Sequence, residues 1–140
     1  RRALGFIKPG VGEWEIEAEY LHEFVRNRSK GFAYPPILGS GKNACVLHYV
    51  ENNTTCQDGE MVLMDVGAEW ANWNADMTRT VPVNGRFTDR QRDVYNSVLR
   101  VQRGSNSLRR HRQQLLRTHR PFPTPSSPLL QTAVPPQPVC

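Results

Sequence analysis

Met61-Val62-Leu63-Met64-Asp65-Val66-Gly67-Ala68-Glu69-Trp70-Ala71-Asn72-Trp73-Asn74-Ala75-Asp76 is the stretch on which the fold of this chain turns. The run from Met61 to Val66 is apolar except for Asp65, the pattern of a strand buried at the centre of a sheet. A second extended segment, residues 75–83, closes at the turn dipeptide Asn84-Gly85. The two segments predict an antiparallel hairpin. If it turns about Trp70-Ala71, Asp76 falls directly opposite Asp65 on the same face, with Cβ atoms about 4.5–5.5 Å apart.

A lone carboxylate in so apolar a strand needs a hydrogen-bond donor, a proton or a cation. Two facing carboxylates need one more strongly, and a hard divalent ion held by oxygen ligands answers that need. Three other readings stand beside it. Asp76 caps a turn, Arg79 pairs with either acid, or the register slips and one carboxylate turns to water.

Working outward, the N-terminal side predicts an amphipathic helix across residues 11–28, opened by Pro9-Gly10. It carries two apolar series, Trp14, Ala18, Leu21, Val25 and Ile16, Tyr20, Phe24, with Glu13, Glu15, Glu17 and Glu19 toward its start and Arg26 and Arg28 at its end. His22 reads as a solvated or packed side chain. Gly31 and Pro35-Pro36 end this element. Ile37-Leu38-Gly39-Ser40-Gly41 and Ala44-Cys45-Val46-Leu47 then predict two short strands around a glycine loop, the second ending at His48-Tyr49. On the C-terminal side, Thr88 and Gln91 form a capping box that opens a helix with Val94, Tyr95, Val98 and Leu99 on one face. Its pattern fades near Gly104.

The 140-residue chain changes character along its length. Residues 1–93 hold all 13 carboxylates and 11 basic side chains; residues 94–140 hold 7 basic side chains and no acid, so the net +5 belongs to the tail. Seven of the 11 prolines lie after Arg120. Residues 104–140 therefore read as a disordered Arg/Pro-rich tail, unable to build a core, attached to one domain over residues 1–103. Two accounts of the tail stand: an out-of-frame translation, or a functional segment whose arginines bind phosphates or an acidic partner and whose proline runs offer a polyproline ligand. The lack of interleaved aromatics disfavours nucleic acid. No apolar run reaches membrane-span length and the N-terminal stretch lacks a signal-peptide apolar segment, so a membrane role is not expected. Cys45, Cys56 and Cys140 form no CxxC pair, which fits a reducing, cytoplasmic compartment.

Three blocks carry a resemblance: Gly39-Ser40-Gly41-Lys42-Asn43-Ala44-Cys45-Val46-Leu47-His48-Tyr49 with Asn52, then Asp58-Gly59-Glu60-Met61-Val62-Leu63-Met64-Asp65-Val66-Gly67, then Asp76 through Thr88. In this order they resemble the aminopeptidase P and prolidase family over residues 3–103, nearer aminopeptidase P than methionine aminopeptidase. The resemblance implies an α+β chain forming the first half of a pita-bread metallopeptidase fold, whose two halves close over two divalent ions. Manganese is the typical metal, with zinc or cobalt in some members. It implies Asp65 as a ligand of one ion, Asp76 as a bridge between both, and His48 as the catalytic residue beside a peptide substrate with proline second. The family's remaining ligands, a histidine and two glutamates, have no counterpart here, since no acid follows Asp93. The resemblance thus implies an N-terminal part of the catalytic domain that is inactive alone, with prolidase and a non-catalytic interaction fragment as the alternatives. Half of such a fold should expose apolar surface and self-associate.

Overall fold

The computed structural model describes residues 2–119. Contacts divide the chain after Arg92 into two units. The first contains α1 (Arg2–Phe6), α2 (Glu13–Arg26), β1 (Gly31–Phe32), β2 (Ile37–Ser40), a 3-10 helix (Gly41–Cys45), β3 (Met61–Val66), β4 (Ala68–Trp70), β5 (Trp73–Asn74) and β6 (Met77–Pro82). Helix α3 (Asp89–His119) begins in the first unit and forms the described part of the second.

Two antiparallel three-stranded sheets result, ordered β2-β3-β6 and β1-β4-β5. Strand β3 is central, as its apolar run requires. Val62, Met64 and Val66 are buried, while Met61, Leu63 and Asp65 on the opposite face are half-buried. The two sheets are parts of one bent hairpin, because β3 continues through Gly67 into β4 and β5 continues through Ala75 and Asp76 into β6. The Ala75 N–H donates to the Ala68 carbonyl at 3.0 Å, carrying the pairing across the bend.

The turn differs from the expected one by a single position. Trp70 pairs with Trp73, so Ala71 and Asn72 are the two turn residues, with φ of 49° and 67°. Two successive left-handed residues are the signature of a type I′ turn, whose twist matches that of the strands it joins. Moving the turn centre by one residue moves every cross-strand partner by two. Asp65 therefore faces Thr78, and Asp76 lies diagonally from it on the same face instead of directly opposite.

Helix α2 starts two residues later than expected, with Gly12 as its N-cap and the Glu15 carboxylate accepting the Gly12 N–H at 2.7 Å. Of the two apolar series, the one starting at Ile16 faces the core. Ile16 is fully buried, Tyr20 donates to the Met64 sulfur at 3.5 Å, and Phe24 stacks edge-on against Phe32 at 5.2 Å. Trp14, Leu21 and Val25 are exposed. Val11, Leu38, Cys56, Val62, Met64, Val66 and Val83 complete the core around Ile16.

The expected strand at Ala44–Leu47 is a correction. Gly41 takes a left-handed φ of 53° that ends the extended course of β2, and the chain coils into the 3-10 helix. Leu47, at 91% exposure, packs on no sheet. The Thr88–Gln91 capping box is present, with both reciprocal bonds formed at 2.9 and 3.3 Å. Helix α3 does not stop where its apolar pattern fades at Gly104 but continues to His119, since no proline interrupts it and its arginines, leucines and glutamines are good helix formers. The tail expected from Gly104 onward thus begins as a continuation of this helix, and residues 120–140 lie outside the described residues. Val98, Val101 and Leu108 on α3 are exposed, as are Leu47 and Trp73 in the first unit.

Candidate active site

Asp65 is held in the ladder of β3, whereas Asp76 sits in the break between β5 and β6 and is exposed. Their diagonal placement leaves a gap that Tyr34 fills. Its hydroxyl lies 2.6 Å from Asp65 Oδ1 and 3.3 Å from Asp76 Oδ1. One phenolic proton thus serves two acceptors, donating chiefly to the nearer carboxylate. Burial, and then the hydrogen bond to Asp65, push the Tyr34 hydroxyl well above the ordinary tyrosine value of 10.0. Tyr34 remains the proton donor of this trio.

Tyr34 can approach because Gly67 has no side chain. A Cβ there would meet the Ala75 carbonyl oxygen at 1.8 Å and the Tyr34 ring at 3.0 Å. The Ala33 N–H donates to the Gly67 carbonyl at 2.8 Å, fixing the backbone that delivers Tyr34.

His48 follows the 3-10 helix in a left-handed conformation with φ of 53°. The structure brings it to the same place as the two acids. Tyr34, Pro35, Ile37, His48, Val50, Asp65 and Asp76 line one open cavity of about 370 Å³. All three residues singled out in the sequence therefore border a single concavity, with Pro35, Ile37 and Val50 as its apolar wall. The alternative pairing of Arg79 with an acid is not formed: its guanidinium donates to the Thr78 carbonyl at 2.7 Å. His22 lies on α2, 3.6 Å from Glu23.

Tyr34 and the apolar wall were not legible as site residues. Tyr34 lies 31 residues from Asp65 and 42 from Asp76 in sequence, and a tyrosine before a Pro-Pro pair carries no motif.

The donor chemistry suits a hard divalent cation, since both groups are carboxylates and converge on one hydroxyl. No cluster of three or more histidine, cysteine, aspartate or glutamate side chains exists among the described residues. Asp65 and Asp76 therefore fit as two ligands of such an ion, not as its whole shell.

Replacing Tyr34 by Phe removes the shared donor and leaves the two diagonal carboxylates without a proton between them. Tyr34→Phe is expected to cost roughly 1.5 kcal/mol without metal, the lower end for hydrogen bonds to charged groups because Asp76 is exposed. Denaturant unfolding should show the loss, and saturating Mn(II) should reduce it.

The profile of metallopeptidase family M24 matches residues 1–113. The chain belongs to this family. Among M24 relatives, it is 46% identical over 98 residues to the Xaa-Pro aminopeptidase of Escherichia coli, covering 70% of this chain and 22% of that protein. It is 52% identical over 101 residues to human Xaa-Pro aminopeptidase 3, covering 72% and 20%. Among solved M24 structures, proline aminopeptidase P II from Yersinia pestis superposes with a TM-score of 0.73 at 46% identity, over 74% of this chain and 24% of that one. A Zn-substituted E. coli aminopeptidase P in complex with product gives 0.70 at 45%, over 71% and 22%. The α+β arrangement is thus part of the pita-bread fold, and the chain spans between a fifth and a quarter of the length of these M24 proteins.

Proposed function

We propose that this chain is the N-terminal part of the catalytic domain of an Xaa-Pro aminopeptidase, which releases the first residue of peptides whose second residue is proline. The observation that carries the reading is the convergence of Asp65 and Asp76 on the Tyr34 hydroxyl in the cavity bordered by His48. In this reading residues 1–103 carry three of the family's site residues, Asp65, Asp76 and His48, and residues 104–140 are a separate segment. A reducing, cytoplasmic setting is part of the proposal; Cys45 and Cys56 are both free thiols among the described residues. No described helix is long and apolar enough to cross a membrane.

Asp65 and Asp76 would hold the metal, two ions with manganese foremost and zinc or cobalt as substitutes. When bound, such ions polarise the scissile carbonyl and lower the pKa of a water nucleophile. The chain's own residues do the rest. The ladder of β3 and the Tyr34 hydroxyl fix the Asp65 carboxylate before any ligand arrives, so its placement costs no reorganisation. Asp76, outside the ladder, is free to adjust its oxygens. The scissile Xaa-Pro amide nitrogen carries no hydrogen, so the role open to the His48 imidazole there is to pass a proton toward the departing proline nitrogen. Pro35, Ile37 and Val50 supply the apolar surface that a proline ring would bury.

Since no acid follows Asp93, residues 1–140 alone cannot complete the carboxylate shell, and negligible turnover is expected from them. The decisive test transplants residues 1–103 into the E. coli Xaa-Pro aminopeptidase in place of its matching segment. The chimaera is expected to hydrolyse an Xaa-Pro peptide with Mn(II), and Asp76→Ala within the segment to lower kcat/KM by at least about a thousandfold, the scale of a removed electrostatic stabiliser. A folded chimaera with no activity would refute the reading, as would one indifferent to Asp76→Ala.

A further inference from the structure

Outside the acid pair, the most densely bonded group of the first unit is Glu13, the first residue of α2. Its side chain is fully buried and makes no ion pair among the described residues. A buried carboxylate without a cation survives only if donors surround it. Oε1 accepts the Ser40 N–H at 2.7 Å, the Ser40 hydroxyl at 3.0 Å and the Asn43 amide at 3.4 Å. Oε2 accepts the Tyr49 hydroxyl at 2.8 Å and the Thr54 N–H at 3.0 Å. These donors come from the end of β2, the 3-10 helix and the loop after it, so one carboxylate ties both ends of the segment 40–54.

Inside that segment sits His48. Its imidazole has no hydrogen-bond partner among the described residues, and its backbone is left-handed, a region uncommon for non-glycine residues although histidine enters it more readily than most. The next residue, Tyr49, is buried while His48 is exposed. The Tyr49 hydroxyl donates to Glu13 and in turn accepts from the Asn43 amide at 2.9 Å. Beyond it, Asn52 closes the loop by accepting the Leu38 N–H at 2.9 Å and donating to the Pro36 carbonyl at 3.0 Å.

We propose that Glu13 is a positioning residue for His48: its buried carboxylate, acting through Tyr49, sets the backbone that brings the imidazole to the Asp65–Asp76 cavity. Its functional meaning rests on the reading of His48 as a substrate-side residue; the structural coupling itself needs no metal and no substrate. The carboxylate is suited to this task because it can only accept. A glutamine at position 13 would turn an NH2 group toward Ser40 N–H or Thr54 N–H, whichever way it flipped, setting donor against donor.

The test is made on isotopically labelled residues 1–140 by NMR, measuring the φ of His48 from scalar and dipolar couplings together with the ¹⁵N order parameters of residues 46–53. In the unaltered chain His48 is expected to hold a single positive φ with an order parameter near 0.85, and in Glu13→Gln to drop below about 0.6 with a negative or averaged φ. Tyr49→Phe, which keeps Glu13 and its other donors, is expected to release His48 in the same way and decides the matter if Glu13→Gln does not fold. Ile16→Val, a loss of core packing in the same helix, is expected to lower the melting temperature without moving His48. The proposal is overturned if His48 keeps its φ and order in folded Tyr49→Phe, or if Ile16→Val loosens it equally. Mn(II) broadening of Asp65 and Asp76 signals, recorded separately, tests the metal assignment and so distinguishes its failure from this one.

Discussion

Asp76→Asn is expected to weaken Mn(II) binding by residues 1–140 about tenfold or more, while the metal-free protein unfolds at no lower temperature. The unaltered chain has two carboxylates, one fixed by β3 and one exposed, and should bind weakly, with a Kd of roughly 10⁻⁴–10⁻³ M as in sparsely ligated oxygen sites. Replacing one carboxylate by an amide keeps the shape and removes half the ligand charge, so affinity should fall about tenfold or more. Stability should respond differently. The bond from Tyr34 to Asp76 is the longer of its two, at 3.3 Å against 2.6 Å, and losing the negative charge relieves repulsion from Asp65. A general weakening of the fold would lower both quantities, so their separation identifies the carboxylate as a ligand. Calorimetric titration and a thermal melt on the same sample check it, and Asp65→Asn should lose binding equally while costing stability through its shorter bond to Tyr34.

Gly67→Ala is expected to be more damaging than any surface change in the chain. The added methyl would lie 1.8 Å from the Ala75 carbonyl oxygen, and the obstacle is backbone held by the β4 pairing, which no rotamer can move aside. Overpacking in a tight core costs about 1–3 kcal/mol even where side chains can yield. Here about 3 kcal/mol or more is expected, a large share of the roughly 5–15 kcal/mol that holds a domain together. Soluble yield and denaturant unfolding give the measurement. Any folded fraction should also lose the short Tyr34–Asp65 bond, because the same methyl presses on the Tyr34 ring.

Much of this site could be read before the fold was known. A period of two placed Asp65 and Asp76 on one face whichever of the two turn centres was chosen, because a one-residue move of the centre preserves parity across a hairpin. The turn itself was misplaced, since Ala71-Asn72 lacks the Asn-Gly signature and takes its left-handed conformation from the strands around it. Helix α2 offered two apolar series of similar strength, and only packing against Met64 and Phe32 selects the one with Ile16. The four-residue run Ala44–Leu47 was too short to tell strand from coil by periodicity. Tyr34 and Glu13 escaped for a different reason. Each acts across a long stretch of chain, and nothing in a local pattern announces a phenol aimed at two distant acids or a carboxylate satisfied by five separate donors.

The bent hairpin also orders events in time. Its strands are joined by a two-residue turn, so Asp65 and Asp76 are brought together by contacts of low sequence separation, and such hairpins close on a scale of about 1–10 μs. Tyr34 and the Glu13 network close loops of 31 and 27 residues or more, and must wait for slower searches. The acidic pair is therefore expected to meet early in folding, before the hydroxyl that bridges it and the imidazole beside it are in place. For that interval the growing structure carries its repulsion uncompensated, and a divalent cation in the folding medium should speed the reaction as well as stabilise its product.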